Sequence, residues 1–331
     1  MNRFLKIVGV SLGVLVVLLA AAVAVFNAKF PSVDAAPVIA VEITPERIVR
    51  GKYLADHVAV CIDCHSTRDW SKFSGPIVPG TEGKGGQEFN EQAGGIPGRI
   101  FSSNITPAGI GHYTDGELLR AFTQGVTKEG RALFPLMPYV SYNSLAQEDA
   151  YAIIAYLRSL PSIANTVGEQ DLNFPLNFIV KTIPPQSYTP GTPVDRNNSA
   201  AYGKYLATIG GCAGCHTPAV KGEPVPGMEL AGGFEFHFPN GVVRSLNITP
   251  DEETGIGNWT REDFVARFKA FADSSVHQAT LAAADFNTPM PWTMYAGMTS
   301  EDLGAIYDYL RSAKPVRNQV EKFTPHAAAQ E

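Results

Sequence analysis

The four cysteines of this 331-residue chain fall in two copies of one pattern, Cys61-Ile62-Asp63-Cys64-His65 and Cys212-Ala213-Gly214-Cys215-His216. Each reads Cys-x-x-Cys-His, the attachment signal for c-type haem. Two thiols one helical turn apart can add to the two vinyl groups of one porphyrin. The adjacent His then lies on one face of the ring and ligates the iron. A single Cys-x-x-Cys would also suit a zinc knuckle or a redox dithiol. Two copies that consume every cysteine, each followed by His, argue against both, and a disulfide framework leaves the histidines unexplained. The sequence therefore predicts two covalently bound haem c groups, held by Cys61, Cys64, His65, Cys212, Cys215 and His216.

An iron held by one His needs a second axial ligand if it is to pass electrons without binding substrates, and Met is the usual partner. Met137 lies 72 residues after His65, and Met290 lies 74 after His216. Each precedes a Pro and an aromatic residue, as Met137-Pro138-Tyr139 and Met290-Pro291-Trp292. A lone Met in an apolar region is usually core filling. A pair at matched places in a repeat reads as ligands, giving His65 with Met137 and His216 with Met290. Met294 and Met298 compete for the second iron but have no counterparts in the first half, and Met228 stands in a Gly/Pro loop. His57, His112, His237, His277 and His326 also lack matched partners and read as surface or hydrogen-bonded residues. His57, close to the first motif, could line a haem edge. Arg99 and Arg131 could pair with propionates, because guanidinium suits bidentate carboxylate contact, or be solvated. Tyr53, Tyr205, Tyr139 and Trp292 read as packing against porphyrin.

These residues are carried by an internal repeat. Gly51-Lys52-Tyr53-Leu54-Ala55 recurs as Gly203-Lys204-Tyr205-Leu206-Ala207, and Asn104-Ile105-Thr106-Pro107 as Asn247-Ile248-Thr249-Pro250. Gly109-Ile110-Gly111 recurs as Gly255-Ile256-Gly257, and Tyr156-Leu157-Arg158-Ser159 as Tyr309-Leu310-Arg311-Ser312. Each module predicts three helices around a haem. The first leads into the Cys motif. The second starts at Thr114 or Thr260, with an acidic residue three positions on, as in a capping box. Leu118, Leu119 and Phe122, like Phe264, Val265 and Phe268, fall at helical spacing. The third helix runs from about 147 to 160, with its copy at about 300 to 313, each ending ahead of a Pro. Thr299 can cap the copy, whereas Ala146 offers no side-chain cap, so the first version should fray more.

The expected architecture is all-α: two tandem class I-like cytochrome c domains, 45–161 and 199–314. Residues 162–198 read as a Pro-rich extended linker, residues 75–98 as a Gly-rich loop insertion in the first module, and 315–331 as a tail. Residues 7–26 are an uncharged run of 20, long enough to cross a bilayer. Arg3 and Lys6 precede it, which keeps the N-terminus cytoplasmic and exports the rest. A cleaved signal peptide would carry a shorter apolar core, so residues 1–30 read as a membrane anchor. The net charge of −6 gives no sign of a nucleic-acid partner.

With Asn-Ile-Thr-Pro, Gly-Ile-Gly, the Thr-capped helix, Met-Pro-Tyr and a helix ending Ala155-Tyr156-Leu157-Arg158-Ser159-Leu160-Pro161, the chain resembles the cytochrome c subunit of bacterial membrane-bound alcohol, aldehyde and gluconate dehydrogenases. The likeness spans both modules. The motifs are specific together and weak apart. The resemblance implies an electron-transfer subunit with no bond chemistry of its own. Its partner would be a periplasmic dehydrogenase, and its electrons would leave to a cytochrome, a quinone or a terminal oxidase of the respiratory chain. It implies a single-pass protein of the inner membrane with both haem domains in the periplasm. Many members carry three haem modules, and this chain carries two. Rival readings are a subunit of a respiratory oxidase or supercomplex, and a dihaem peroxidase, which needs one iron with an open position. Acid-acetone-extracted protein assayed as the pyridine haemochrome should retain two haems per chain. One or none would overturn the motif reading.

Overall fold

The computed structural model describes residues 3–92, 95–273, 279–282 and 284–326. The chain opens with α1 (Arg3–Lys29), a 27-residue helix with mean hydropathy 2.8 over its most apolar window and no buried residue. Among the described residues it is the one helix long and apolar enough to cross a membrane.

The first half then runs through α2 (Pro45–Tyr53), a π-turn (Leu54–Val58), α3 (Cys61–Cys64), β1 (Glu88–Asn90), β2 (Gly98–Phe101), α4 (Pro107–Ile110), α5 (Asp115–Gln124), α6 (Tyr139–Tyr142) and α7 (Gln147–Ser159). The connection holds β3 (Asp171–Leu172) and α8 (Leu176–Ile179). The second half repeats the helices as α9 (Ser199–Ile209), α10 (Cys212–His216), α11 (Arg261–Lys269), α12 (Trp292–Tyr295) and α13 (Ser300–Ser312). Its strands are β4 (Ala219–Val220), β5 (Glu223–Pro224), β6 (Glu235–Phe238), β7 (Gly241–Arg244) and β8 (Phe323–Pro325).

Local chemistry sets the helix starts. Thr114 and Thr260 both complete reciprocal capping boxes, with Glu117 and Asp263 respectively. Thr299 accepts the Asp302 amide at the start of α13. Ala146 has no such side chain, and Tyr205 from the other half supplies one: its hydroxyl accepts the Ala146 amide at 3.4 Å and donates to Asp149 at 2.6 Å. The mirror contact also exists. Tyr53 donates to Asp302 at 2.7 Å and accepts the Thr299 amide at 3.1 Å. The repeat-matched tyrosines therefore cap each other's third helices and do not serve only as packing.

Within each half the first helix lies along the third, α2 on α7 and α9 on α13. Glycine makes the approach possible. A Cβ on Gly51 would sit 1.8 Å from the Ala152 carbonyl oxygen, and one on Gly203 would sit 1.7 Å from that of Ala305. Leu54, Leu145 and Ile154 from the first half and Leu206, Met298 and Leu303 from the second are buried in one continuous core.

The all-α expectation is wrong. The fold is mixed, with antiparallel sheets ordered β1-β2-β3, β4-β5 and β6-β7-β8. Strands of two to four residues are too short to print an alternating pattern. One had a usable signal: Glu235-Phe236-His237-Phe238 precedes Asn240-Gly241, and β6 turns into β7 there with Phe238 paired to Gly241. The Gly-rich insertion folds into β1-β2. The segment between the two halves adds β3 to that sheet and buries Leu172 and Val180 against Ile96 and Ile100. The tail supplies β8 to β7.

Gly203→Ala should force α9 and α13 apart and cost about 1–3 kcal/mol, as overpacking does. Thermal unfolding should show a lowered midpoint, whereas Gly214→Ala, which meets nothing within 4 Å, should leave it unchanged.

Candidate functional site

Each Cys motif begins just after a residue in the left-handed region, Val60 at φ 47° and Gly211 at φ 69°. This bend separates the motif turn from the helix that precedes it. No disulfide joins the four cysteines; Cys61 and Cys212 are half-buried and Cys64 and Cys215 exposed. Among the described residues, no three His, Cys, Asp or Glu side chains converge on one metal-sized site.

The two histidines are held alike. His65 Nδ1 lies 2.6 Å from the Ser103 carbonyl oxygen, and His216 Nδ1 lies 2.7 Å from that of Leu246. A carbonyl only accepts, so Nδ1 carries the proton and Nε2 keeps a free lone pair. Burial lowers both imidazole pKa values while the carbonyl bond pulls the other way, which favours the neutral, ligating form.

The accepting carbonyl is itself fixed. Asn104 and Asn247 follow it, and each Asn Oδ1 accepts from both the amide and the hydroxyl of the Thr two residues on, Thr106 or Thr249. Each Asn Nδ2 donates across to the irregular segment after the third helix, to Ile163 O at 2.8 Å and Val316 O at 2.7 Å. The Asn-Ile-Thr-Pro repeat is therefore a brace for the histidine's acceptor. Gly85 and Gly232 close the other side, donating to the His65 and His216 carbonyls at 2.8 and 2.7 Å. A Cβ there would strike Ser103 or Leu246 at 2.4 and 2.5 Å, and φ is +68° and +74°, so glycine is required twice over.

The Met-Pro motifs match in backbone. Tyr139 N donates to Met137 O and Trp292 N to Met290 O, both at 2.8 Å. With φ −80° at Pro138 and Pro291 these are inverse γ-turns. Met137 and Met290 are half-buried at the core's edge, whereas Met294 and Met298 are buried within it. Met228 is half-buried in its loop. Arg99 and Arg131 lie at the surface, facing Asp171 and Gln170. His57 reaches the second half, with Nδ1 2.9 Å from the Met294 carbonyl oxygen. His112 pairs with Glu129 at the surface, and His277 lies outside the described residues.

Residues 200–314 match the cytochrome c family model. The chain is 30% identical to the cytochrome c subunit of alcohol dehydrogenase (quinone) from Gluconacetobacter polyoxogenes, over 81% of this chain and 56% of that protein. It is 28% identical to the gluconate 2-dehydrogenase cytochrome c subunit of Pantoea cypripedii, over 80% and 59%. It is 29% identical to the fructose dehydrogenase cytochrome subunit of Gluconobacter japonicus, over 80% and 52%. The chain is a homologue of these cytochrome c subunits. It spans a little over half the length of the curated relatives it matches.

Haem c, which a cytochrome c homologue implies, fits these donors: paired thiols, a His with Nε2 free, and a half-buried Met in each half. Beside Met137 the Tyr139 hydroxyl is buried without a partner, a donor that a carboxylate-bearing ligand would satisfy.

Three features escaped the sequence reading. Tyr142 and Tyr295, five residues after the repeated Met, donate to the carbonyls of Ala59 and Gly210 at 2.7 and 2.6 Å, two residues before each motif. The signal was a third matched aromatic, Met-Pro-x-x-x-Tyr. Burial holds the Tyr295 hydroxyl well above the ordinary tyrosine range, and Cys212, Cys215, Asp63 and Cys64 add to that push. Second, Asp63 and Arg68 form a buried ion pair at 2.8 Å, where the other half has Gly214. Third, the loop after His65 grips the second Met-Pro turn. Ser74 Oγ donates to Met290 O at 2.5 Å and accepts the Trp292 amide at 3.2 Å. Asn287 Oδ1 accepts the Ser74 amide, and its Nδ2 donates to Trp70 O and Lys72 O. Neither of these last two features repeats, so the repeat gave no cue for them.

Tyr142→Phe and Tyr295→Phe each strand a main-chain carbonyl in the interior. Each should cost about 1–3 kcal/mol in denaturant unfolding. A loss under a few tenths in both would remove these tyrosines from the motif's support.

Proposed function

We propose that this chain is a membrane-anchored dihaem cytochrome c that carries electrons from a periplasmic dehydrogenase to the respiratory chain. Residues 45–161 and 199–314 would form two haem modules. Cys61, Cys64 and His65 would hold one group with Met137, and Cys212, Cys215 and His216 the other with Met290. Bound haem c would supply one-electron redox chemistry at each centre. The observation that carries the reading is the duplicated histidine brace, which presents Nε2 in the same way twice.

The chain's own residues do the positioning. Ser103 and Leu246 set the tautomer and ring plane of the two histidines, and such partners raise ligand basicity. Pro138 and Pro291 preset the turn that presents each thioether. Tyr295, itself buried, bonds Gly210 O and so holds the backbone that leads into the second motif. The half-buried placement of Met137 and Met290, against the core burial of Met294 and Met298, supports the ligand assignment. α1 would hold the body at the periplasmic face of the inner membrane. The relatives' names point to a dehydrogenase partner oxidising an alcohol, a sugar or a sugar acid. Electrons would leave to a quinone, another cytochrome or a terminal oxidase.

Deleting the gene should preserve substrate oxidation by an artificial dye and abolish substrate-driven oxygen uptake. Uptake at the wild-type rate would refute the relay role. Met137→Ala or Met290→Ala should lower one potential and introduce a high-spin signal, because thioether ligation raises the potential. If Met294→Ala or Met298→Ala did this and Met290→Ala did not, the second ligand would be reassigned. Ser74→Ala should shift the second centre's potential more than the first. An equal shift at both centres would mean that Ser74 acts on the whole fold and not on the Met290 turn.

A further inference from the structure

We propose that residues 173–183 form a lipid-docking platform that seats the first half of the body in the outer headgroup layer beside the exit of α1. The inference rests on α1 spanning the membrane.

The segment is tied down from inside. Leu172 and Val180 are 7% and 2% exposed and pack with Ile96 and Ile100 under the β1-β2-β3 sheet. That anchorage turns the other side outward. Phe174 is 80% exposed, Ile179 49% and Ile183 36%. Scattered exposed apolar side chains are ordinary, but three within ten residues on a pinned segment form a patch that water disfavours.

The position of the patch names its occupant. The Phe26 ring, in the last turn of α1, lies 5.4 Å from the Phe178 ring, and Phe178 lies 6.1 Å from Phe174. Lys181 Nζ donates to Asn27 Oδ1 at 2.7 Å. When α1 crosses the bilayer, its last turn stands at the outer interface, so a segment touching that turn stands at the same depth. Aromatic rings and lysine are the residues that settle there: the rings enter the boundary of the acyl chains and the ammonium reaches the headgroups. No Asp or Glu occurs between Asp171 and Asp195, so no carboxylate in the segment opposes an anionic lipid. A soluble partner could cover an apolar patch equally well, but contact with the membrane helix's last turn places lipid there first. The helix and the platform together would stop the haem body swinging on a single tether.

The test uses the full-length holoprotein in liposomes of phosphatidylcholine and phosphatidylglycerol. A small fraction of the lipid carries a diazirine near the glycerol. Irradiation and peptide mapping should find label on α1 and on residues 173–183. In the variant Phe174→Ser/Ile179→Ser, with an unchanged haem spectrum, label on 173–183 should fall to the level of α11 peptides while α1 stays labelled. Label on α1 alone in the wild type would overturn the platform and leave the anchor standing. Label on neither would overturn both.

Discussion

A single hydrogen bond, from imidazole Nδ1–H to a main-chain carbonyl, is the constraint from which the rest of each half follows. It fixes the tautomer and the plane of His65 and His216, and a ring free to rotate would present Nε2 in no particular direction. A main-chain acceptor holds a ring only if its own backbone is held. Asn104 and Asn247 do this by tying the acceptor's loop to the segment just beyond the third helix. That helix is held in turn by its close approach to Gly51 or Gly203 on the first helix, and the first helix leads into the Cys motif. The constraints form a closed circuit, motif to loop to third helix to first helix to motif. The repeated glycines, asparagines and tyrosines are its joints.

The two circuits are not independent. Tyr53 and Tyr205 exchange caps across the molecule, each bonding the acidic residue in the first turn of the other half's third helix. Arg50 adds a bidentate contact to Asp149 at 2.8 and 2.9 Å. The matching place in the second half is Tyr202, 3.5 Å from Asp302. These contacts are partly buried and bind two carboxylates that would otherwise destabilise the interior.

Symmetry ends around the first motif. Burial outweighs the opposing pull of Arg68 and pushes the Asp63 carboxyl up to about 6. Arg68 also donates to Ser74 O and Gly75 O and stacks on Trp70 at 4.1 Å. The loop shaped by this network is the one that holds the Met290 turn. A charge pair buried beside one centre thus helps to place a candidate ligand of the other. Removing one partner of such a pair costs far more than the pair contributes, because a lone charge is left behind.

The sequence by itself determined what repeats. The Cys motifs, the histidines, the Met-Pro turns and the helices with their Thr caps recur in order, and recurrence is visible without coordinates. It also marked α1, whose composition needs no partner to be read. It misjudged what is short or made by distant chain segments. Strands of two to four residues carry too little pattern to show in the sequence, so the sheets were not legible there. The brace on each histidine joins residues 38 and 30 positions apart, and its meaning lay in where the Asn-Ile-Thr-Pro carbonyl ends up, not in the residue types. Tertiary structure alone decided the crossed tyrosine caps, the buried Asp63–Arg68 pair and the grip of Ser74 on Met290. Each joins groups whose attraction depends on being brought together away from water, and no local rule records that proximity.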